Sequence, residues 1–167
     1  MIGLGSESAK ICVYIENIPP LTYYQNLSTL VAIQPDEIQL IVEQTGNHWR
    51  KIFNVYAKLY FELSPGSFSS WQNFRDNKLL QAHSNQCLLF SPPQLKNKHD
   101  EVVHIIMGRT YANKVRLAQR CDWLSQDFAI NKRERFIICP YFDYRQLSNV
   151  KISQLVSLIK SFDKNMR

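Results

Sequence analysis

A chain of 167 residues with 45% hydrophobic and 20% charged residues is typical of a folded globular protein and excludes an intrinsically disordered one. It is long enough for one domain with a sizeable core, and its formal net charge at pH 7 is +6. No apolar run approaches the roughly 18 residues of a membrane span, and no secretory signal pattern opens the chain, so we expect a cytoplasmic protein that does not bind a membrane.

The charge is unevenly distributed along the chain. Up to Leu95 there are six Lys and Arg against seven Asp and Glu, a net charge of −1, whereas from Lys96 onward fourteen basic and seven acidic residues give +7. This asymmetry fits an anionic partner such as nucleic acid or a phosphate-bearing ligand, and it equally fits a solvated surface without a partner.

The sequence contains no arrangement typical of a metal or cofactor site. Its four cysteines show no CxxC spacing, and the pattern predicts buried, reduced thiols: Cys12, Cys87, Cys121 and Cys139. The four histidines are dispersed, without HxH or HExxH spacing. We therefore expect neither a metal nor a cofactor.

In the first half of the chain, residues 1–9 are expected to be flexible, and the short apolar run Lys10–Ile15 predicts a first strand. Pro35 and Gly46 bound a predicted helix, and apolar residues at three-and-four spacing predict a second, amphipathic helix over 47–63. The Ser-rich segment 64–77 is predicted to be a loop.

The second half contains three further apolar runs, which predict strands over 86–90, 102–107 and 135–139. A polar loop covers 95–101, and a helix capped by Thr110 is predicted over 110–121. The chain ends in a predicted helix over 148–162, whose inward side chains are expected to be Val150, Leu155, Val156, Ile159 and Phe162.

The four predicted strands are near-continuous apolar runs, and helices separate most of them. Such runs indicate strands that are buried on both faces, hence a mostly parallel sheet. The sequence therefore predicts one α/β domain over 1–167, Rossmann-like, in which helices flank a four-stranded, mostly parallel sheet in three layers.

Ligands of open parallel sheets bind outside the carboxyl ends of the strands, which places a candidate site at the residues that follow each predicted strand. Gly108 and Arg109 are the most specific of these, since a helix start and a guanidinium both attract phosphate, although an ordinary strand–helix turn explains the glycine equally well. The candidates, in chain order, are Glu16, Asn17, Ser91, Gly108, Arg109, Thr110, Tyr141, Asp143, Tyr144 and Arg145.

Several short segments resemble uracil-DNA glycosylases. VVHIIMGRTYANKV is similar to that family's strand ending in Gly before a Tyr-Ala helix start, and SPGSFSSWQNF is similar to its Pro-Ser loop. QCLLFSPP and FIICPYFDYRQLSN stand where the family has its base-reading Asn and its His-Pro-Ser-Pro loop. The resemblance implies a similar parallel-sheet fold.

The family's catalytic motifs are missing from this sequence. YIENIPPL replaces the Gly-Gln-Asp-Pro-Tyr motif, Ser91 stands for the base-reading Asn, and Cys139 or Tyr141 occupies the catalytic His position. The sequence as a whole is also similar to those of small uncharacterised proteins of gammaproteobacteria. The resemblance therefore supports the fold rather than glycosylase activity.

The sequence is compatible with three functions. The first is a domain that binds nucleic acid or a nucleotide, in which Arg109 and the helix start at Thr110 hold a phosphate and two tyrosines stack a base. Arg145, Lys132 and Arg133 would attract the nucleic acid from a distance. The two tyrosines expected to stack the base are Tyr141 and Tyr144.

The second hypothesis is an enzyme for a small anionic substrate, with Glu16 or Asp143 as the acid or base near Arg109. It needs a carboxylate with a raised pKa. The third is a protein-interaction module that uses aromatic side chains of residues 49–74, namely Trp49, Tyr56, Phe68, Trp71 and Phe74.

Overall fold

The computed structural model describes residues 1–95 and 101–163. Within these ranges eight strands form one mixed sheet, in the order β3-β1-β4-β2-β5-β8-β7-β6. The strands are β1 (Gly3–Gly5), β2 (Ile11–Tyr14), β3 (Leu30–Val31), β4 (Gln86–Leu89), β5 (Val103–Met107), β6 (Asp122–Trp123), β7 (Ala129–Asn131) and β8 (Phe136–Cys139).

The centre of the sheet is parallel, and an antiparallel pair joins each margin to it. β4, β2, β5 and β8 are neighbours that run in one direction, and they coincide with the four predicted strands. The prediction of a four-stranded sheet is nevertheless wrong, because β1 is antiparallel to β4, and β7 is antiparallel to both β8 and β6. The four additional strands have only two or three residues, too few to show a hydrophobic period.

The start of the chain is part of the sheet. Gly3, Leu4 and Gly5 are buried between β3 and β4, so the expectation of a flexible segment does not hold for these residues. Glycine is required there because a Cβ on Gly3 would lie 2.2 Å from the carbonyl oxygen of Leu88. A strand made of glycines lacks the side chains by which a sequence pattern identifies strands.

Six α-helices occur in the described residues: α1 (Thr22–Gln25), α2 (Glu37–Thr45), α3 (Asn47–Leu63), α4 (Trp71–Asn77), α5 (Arg109–Lys114) and α6 (Asn149–Asp163). The helices predicted over α2, α3 and α6 are confirmed. α4 lies inside the predicted loop, where Ser70 begins the helix by accepting a hydrogen bond from the backbone N–H of Asn73 over 3.1 Å.

Two details of the predicted helices are wrong. α5 ends at Lys114 because Arg116 adopts a left-handed conformation with φ of 62°, and a short 3₁₀ turn follows at Ala118–Arg120. The helix begins after Gly108, so Thr110 lies within it and does not cap it. In α6, Val150 is 70% exposed because it lies about 200° around the helix from the buried Ile152.

Helices cover both faces of the sheet. Side chains of α3 such as Ile52 and Tyr56 join Val13 and Ile105 in one buried cluster, and those of α5 join Cys12 and Ile106 in the other. Burial on both faces explains the unbroken apolar runs of the central strands. No helix of the described residues is long and apolar enough to span a bilayer.

Candidate functional site

The carboxyl ends of β2, β5 and β8 meet at one edge of the sheet and enclose a groove of about 460 Å³, here called the edge groove. Its walls include Gln126, Asp127 and Gln146 from the loops around it. Six of the residues that the sequence places at the strand ends line it together, and these are Glu16, Asn17, Gly108, Arg109, Thr110 and Tyr141.

Tyr141 organises one wall of the edge groove. Its hydroxyl donates to Asn17 Oδ1 over 2.9 Å, and since a phenol has only one proton, His48 Nε2 donates to Tyr141 over 2.8 Å. The two rings are also stacked, with centroids 5.7 Å apart. Burial, and then the negative charges of Asp143 and Glu16, raises the pKa of Tyr141, so its hydroxyl stays protonated and holds Asn17 in place.

Arg109 also lines the edge groove, at the start of α5. Its guanidinium stacks over the indole of Trp123, 4.1 Å from the ring centroid, and the side chain remains exposed. Gly108 makes the turn before it, with φ of 95° and a backbone N–H that donates to the Cys139 carbonyl over 2.9 Å. The stacked guanidinium is thus oriented at a fixed place on the groove rim.

The two carboxylates proposed as acid or base are both paired with lysine. Glu16 forms an ion pair with Lys114, and Asp143 Oδ2 lies 3.3 Å from Lys51 Nζ. The backbone N–H of Arg145, and then Lys51, lowers the pKa of Asp143 below its ordinary value. Asp143 is therefore ionised at neutral pH, which is the opposite of what the enzyme hypothesis requires of it.

Other candidates lie elsewhere. The Ser91 hydroxyl accepts a hydrogen bond from the backbone N–H of Ile2 over 3.0 Å, and the residue lines a different cavity. Lys132 and Arg133 precede β8, so they lie at the end of that strand opposite to Tyr141. Their distance from the groove does not bear on the long-range attraction expected of them, which stays a prediction.

Tyr144 lies outside the edge groove, on a neighbouring depression of about 410 Å³ between α3, α4 and the loop after β8. This basic–aromatic surface is formed by residues that are distant in sequence. They are Arg50, Lys51, Lys58, Trp71, Arg75 and Tyr144, with Arg145 beside Tyr144.

Cations lie over both rings of the basic–aromatic surface, the half-buried Trp71 and the exposed Tyr144. Lys58 Nζ and the Arg75 guanidinium are 5.1 and 5.4 Å from the Trp71 ring centroid. Lys51 Nζ and the Arg145 guanidinium are 5.3 and 5.8 Å from that of Tyr144. These contacts hold the long side chains against the rings and concentrate positive charge beside aromatic surface.

Few carboxylates offset this charge. Lys51 pairs with Asp143, and Arg75 with Asp76 over 2.8 Å, while Arg75 also donates to Asn54 over 2.7 Å. Within the described ranges Arg50 and Lys58 have no ion pair. Five cations against two carboxylates leave a net charge of +3 on this surface.

The aromatic interaction surface of the third hypothesis does not exist as one surface. Trp49, Tyr56 and Phe74 are at most 2% exposed and belong to the core. Phe68 packs edge-on against Phe74 at 5.3 Å, and Trp71 faces the cations described above. Among the described residues, no group of three or more His, Cys, Asp and Glu side chains is arranged to hold a metal ion.

Comparison with known proteins identifies the family of the chain but gives no activity. Residues 2–160 match DUF6942, a family of unknown function. No curated protein and no solved structure matches the chain. The comparisons therefore lend no support to the resemblance with uracil-DNA glycosylases or to a gammaproteobacterial origin.

Proposed function

Since the chain belongs to DUF6942, a family of unknown function, we propose its function from its geometry: it binds single-stranded nucleic acid. The strand would cross the basic–aromatic surface and place one nucleotide in the edge groove. The loop over residues 140–146 joins the two regions, because Tyr141 lines the groove and Tyr144 lines the surface.

The observation that carries this proposal is the pairing of cations with aromatic rings on the basic–aromatic surface. Bases of a single strand stack on aromatic side chains and on guanidinium planes, and phosphates are neutralised by Lys and Arg. Trp71 and Tyr144 each have two cations within 5.8 Å of the ring centroid. A base and its phosphate would therefore find their preferred contacts side by side.

The edge groove supplies groups of a different kind. Its volume of about 460 Å³ suits a nucleotide-sized ligand. Arg109 would contact a phosphate, and the side-chain amides of Asn17 and Gln146 would hydrogen-bond the edge of a base. An unpaired base can enter such a groove, whereas a base in a duplex cannot without being flipped out.

The test is a salt titration of binding. We expect a fluorescent oligothymidylate to raise its anisotropy on adding the protein at low salt, and the affinity to fall with salt with a log–log slope of about −0.7 for each phosphate contact. Duplex DNA of equal length should bind more weakly. Absence of binding at low salt, or an affinity that ignores salt, would overturn the proposal.

A further inference from the structure

A second cavity, of about 370 Å³, lies on the face of the sheet that carries α5. β4, β2 and β5 form its floor, where Cys87, Cys12 and His104 occupy the same register on adjacent strands. His104 Nδ1 lies 2.8 Å from the Tyr14 hydroxyl. The rim is polar and includes Ser6, Glu7 and Gln94.

Cys12 and Cys87 are neighbours across the parallel ladder. They are direct register partners of β2 and β4, both thiols are free, and their Sγ atoms are 2.9 Å apart. Neighbouring strands are about 4.8 Å apart, which falls within the range of Cα separations that a disulfide accepts, about 4.4–6.8 Å. A bond between the two sulfurs therefore needs only side-chain rotation.

The backbone around the pair is held in place from the other side of the sheet. The buried Tyr56 hydroxyl donates to the Cys87 carbonyl over 2.8 Å. Cys12 is 5% exposed and Cys87 is fully buried, yet both line the cavity. Molecules of the size of water, which takes about 30 Å³, can reach them there.

We propose that Cys12 and Cys87 form a reversible redox site that a small peroxide oxidises to a disulfide. This inference is independent of nucleic-acid binding. Cys12 has the more accessible sulfur and reacts first, and Cys87 then closes the bond.

Oxidation by peroxide begins at Cys12 and ends in a disulfide with Cys87. Cys12 gives its proton to water, and its thiolate attacks one oxygen of hydrogen peroxide; the O–O bond breaks, and the departing hydroxide takes up a proton. Cys87 sulfur attacks the resulting sulfenic acid, the S–OH bond breaks, and water leaves with the Cys87 proton. Two thiols and one peroxide become one disulfide and two waters, and a dithiol reductant reverses the change.

The remaining cysteines provide the contrast. Cys121 is more exposed than Cys12, but its thiol donates to the Ala118 carbonyl over 3.3 Å, and Cys139 is buried with its thiol 3.3 Å from the Pro140 carbonyl. Neither has a second sulfur as a hydrogen-bond partner in the described part of the chain. Reactivity that followed exposure alone would therefore modify Cys121, and reactivity that follows geometry links Cys12 to Cys87.

The experiment treats the full, folded chain with hydrogen peroxide, removes the peroxide with catalase, and labels the remaining thiols with N-ethylmaleimide in denaturant. Of the four free thiols, two should take up label after oxidation, and all four after reduction. Peptide mapping should find a linked pair of peptides containing Cys12 and Cys87. Cys12→Ser should abolish the link, and Cys121→Ser should leave it intact.

A circular dichroism spectrum, taken after the peroxide is removed and before denaturant is added, shows whether the protein is still folded. The proposal is overturned if the folded chain keeps four labelled thiols, or if Cys121 is modified while the peptides of Cys12 and Cys87 stay unlinked. If Cys12→Ser does not fold, the peptide map of the unaltered protein alone decides between these outcomes.

Discussion

The edge groove and the basic–aromatic surface share one loop but use charge in opposite ways. Two carboxylates of the groove are neutralised by lysines beside it, since Glu16 pairs with Lys114 and Asp127 with Lys151. Among the described residues this leaves one lining cation, Arg109, beside amides and a phenol. On the basic–aromatic surface cations outnumber carboxylates by five to two. We infer that the surface supplies the affinity for a strand and the groove supplies selection among bases.

The largest effect on binding is expected when the unpaired cations of the basic–aromatic surface are removed. Arg50→Gln with Lys58→Gln breaks no ion pair, and loss of two phosphate contacts should cost about 2 kcal/mol, roughly a thirtyfold loss of affinity at low salt. The magnitude of the salt slope should fall by about 1.4. Anisotropy titrations with oligothymidylate at several salt concentrations measure both quantities.

The matched control is Lys132→Gln with Arg133→Gln, which changes the net charge equally at the opposite end of β8. These side chains are exposed, so the fold should not be affected. Affinity should stay close to that of the parent protein. An equal loss in both double variants would show that the attraction depends only on total charge.

An intermediate effect is expected for Tyr144, whose side chain is 53% exposed. Stacking on an aromatic side chain contributes about 1–3 kcal/mol per base, and the partial exposure favours the lower end, about tenfold for Tyr144→Ala. The salt slope should not change, because no phosphate contact is lost. Tyr144→Phe keeps the ring and should bind almost normally; a loss as large as that of alanine would point to the hydroxyl instead.

A smaller effect is expected in the edge groove. Arg109→Ala removes one cation and should weaken oligothymidylate binding about threefold, well below the loss on the basic–aromatic surface. Its effect should be larger for a mononucleotide, which we expect to occupy the groove alone. Competition of a mononucleotide against the labelled strand measures this difference, and a stronger effect of Arg109→Ala on the long strand would reverse the roles of the two regions.

The smallest effect is expected for Asp143, which links the two regions by pairing with Lys51 and accepting the backbone N–H of Arg145. Its pKa is lowered in the folded state, so its charge stabilises the fold above the unfolded value of about 3.9, and this stability is lost as pH falls through the lower folded value. Asp143→Asn should cost less than about 1 kcal/mol near pH 7 and less still near pH 2, where the carboxylate is increasingly protonated. Urea unfolding at both pH values tests this, and an equal cost at both would contradict it.

The central strands could be predicted from the sequence because they are buried on both faces. Runs such as VVHIIM contain enough β-branched residues to identify a strand without its neighbours. β1 and β3 are formed by Gly-Leu-Gly and Leu-Val, and such segments become strands only through the ladder next to them. α4 could not be predicted, because its capping Ser70 lies in a Ser-rich run that is equally typical of a loop.

Part of the candidate site could be predicted for a similar reason. Parallel strands end at one edge, so Asn17, Arg109 and Tyr141 could be grouped from the strand list alone. The basic–aromatic surface could not, since four of its five cations come from the half of the chain whose net charge is −1. The one available signal was the polar stripe of α3 at Arg50, Asn54 and Lys58, where spacing of four places side chains on one face.

The strand order also has a consequence for biosynthesis. β2 pairs with β4 and β5, and 75 residues separate Cys12 from its partner Cys87. At ribosomal rates of about 5–20 residues per second, the apolar β2 waits roughly 4–15 s for its first neighbour. During that interval only the first half, with its helices and their apolar faces, is available to cover it. Until the second half emerges, we expect packing against α3, which shares a buried cluster with Val13 of β2, to shield this strand.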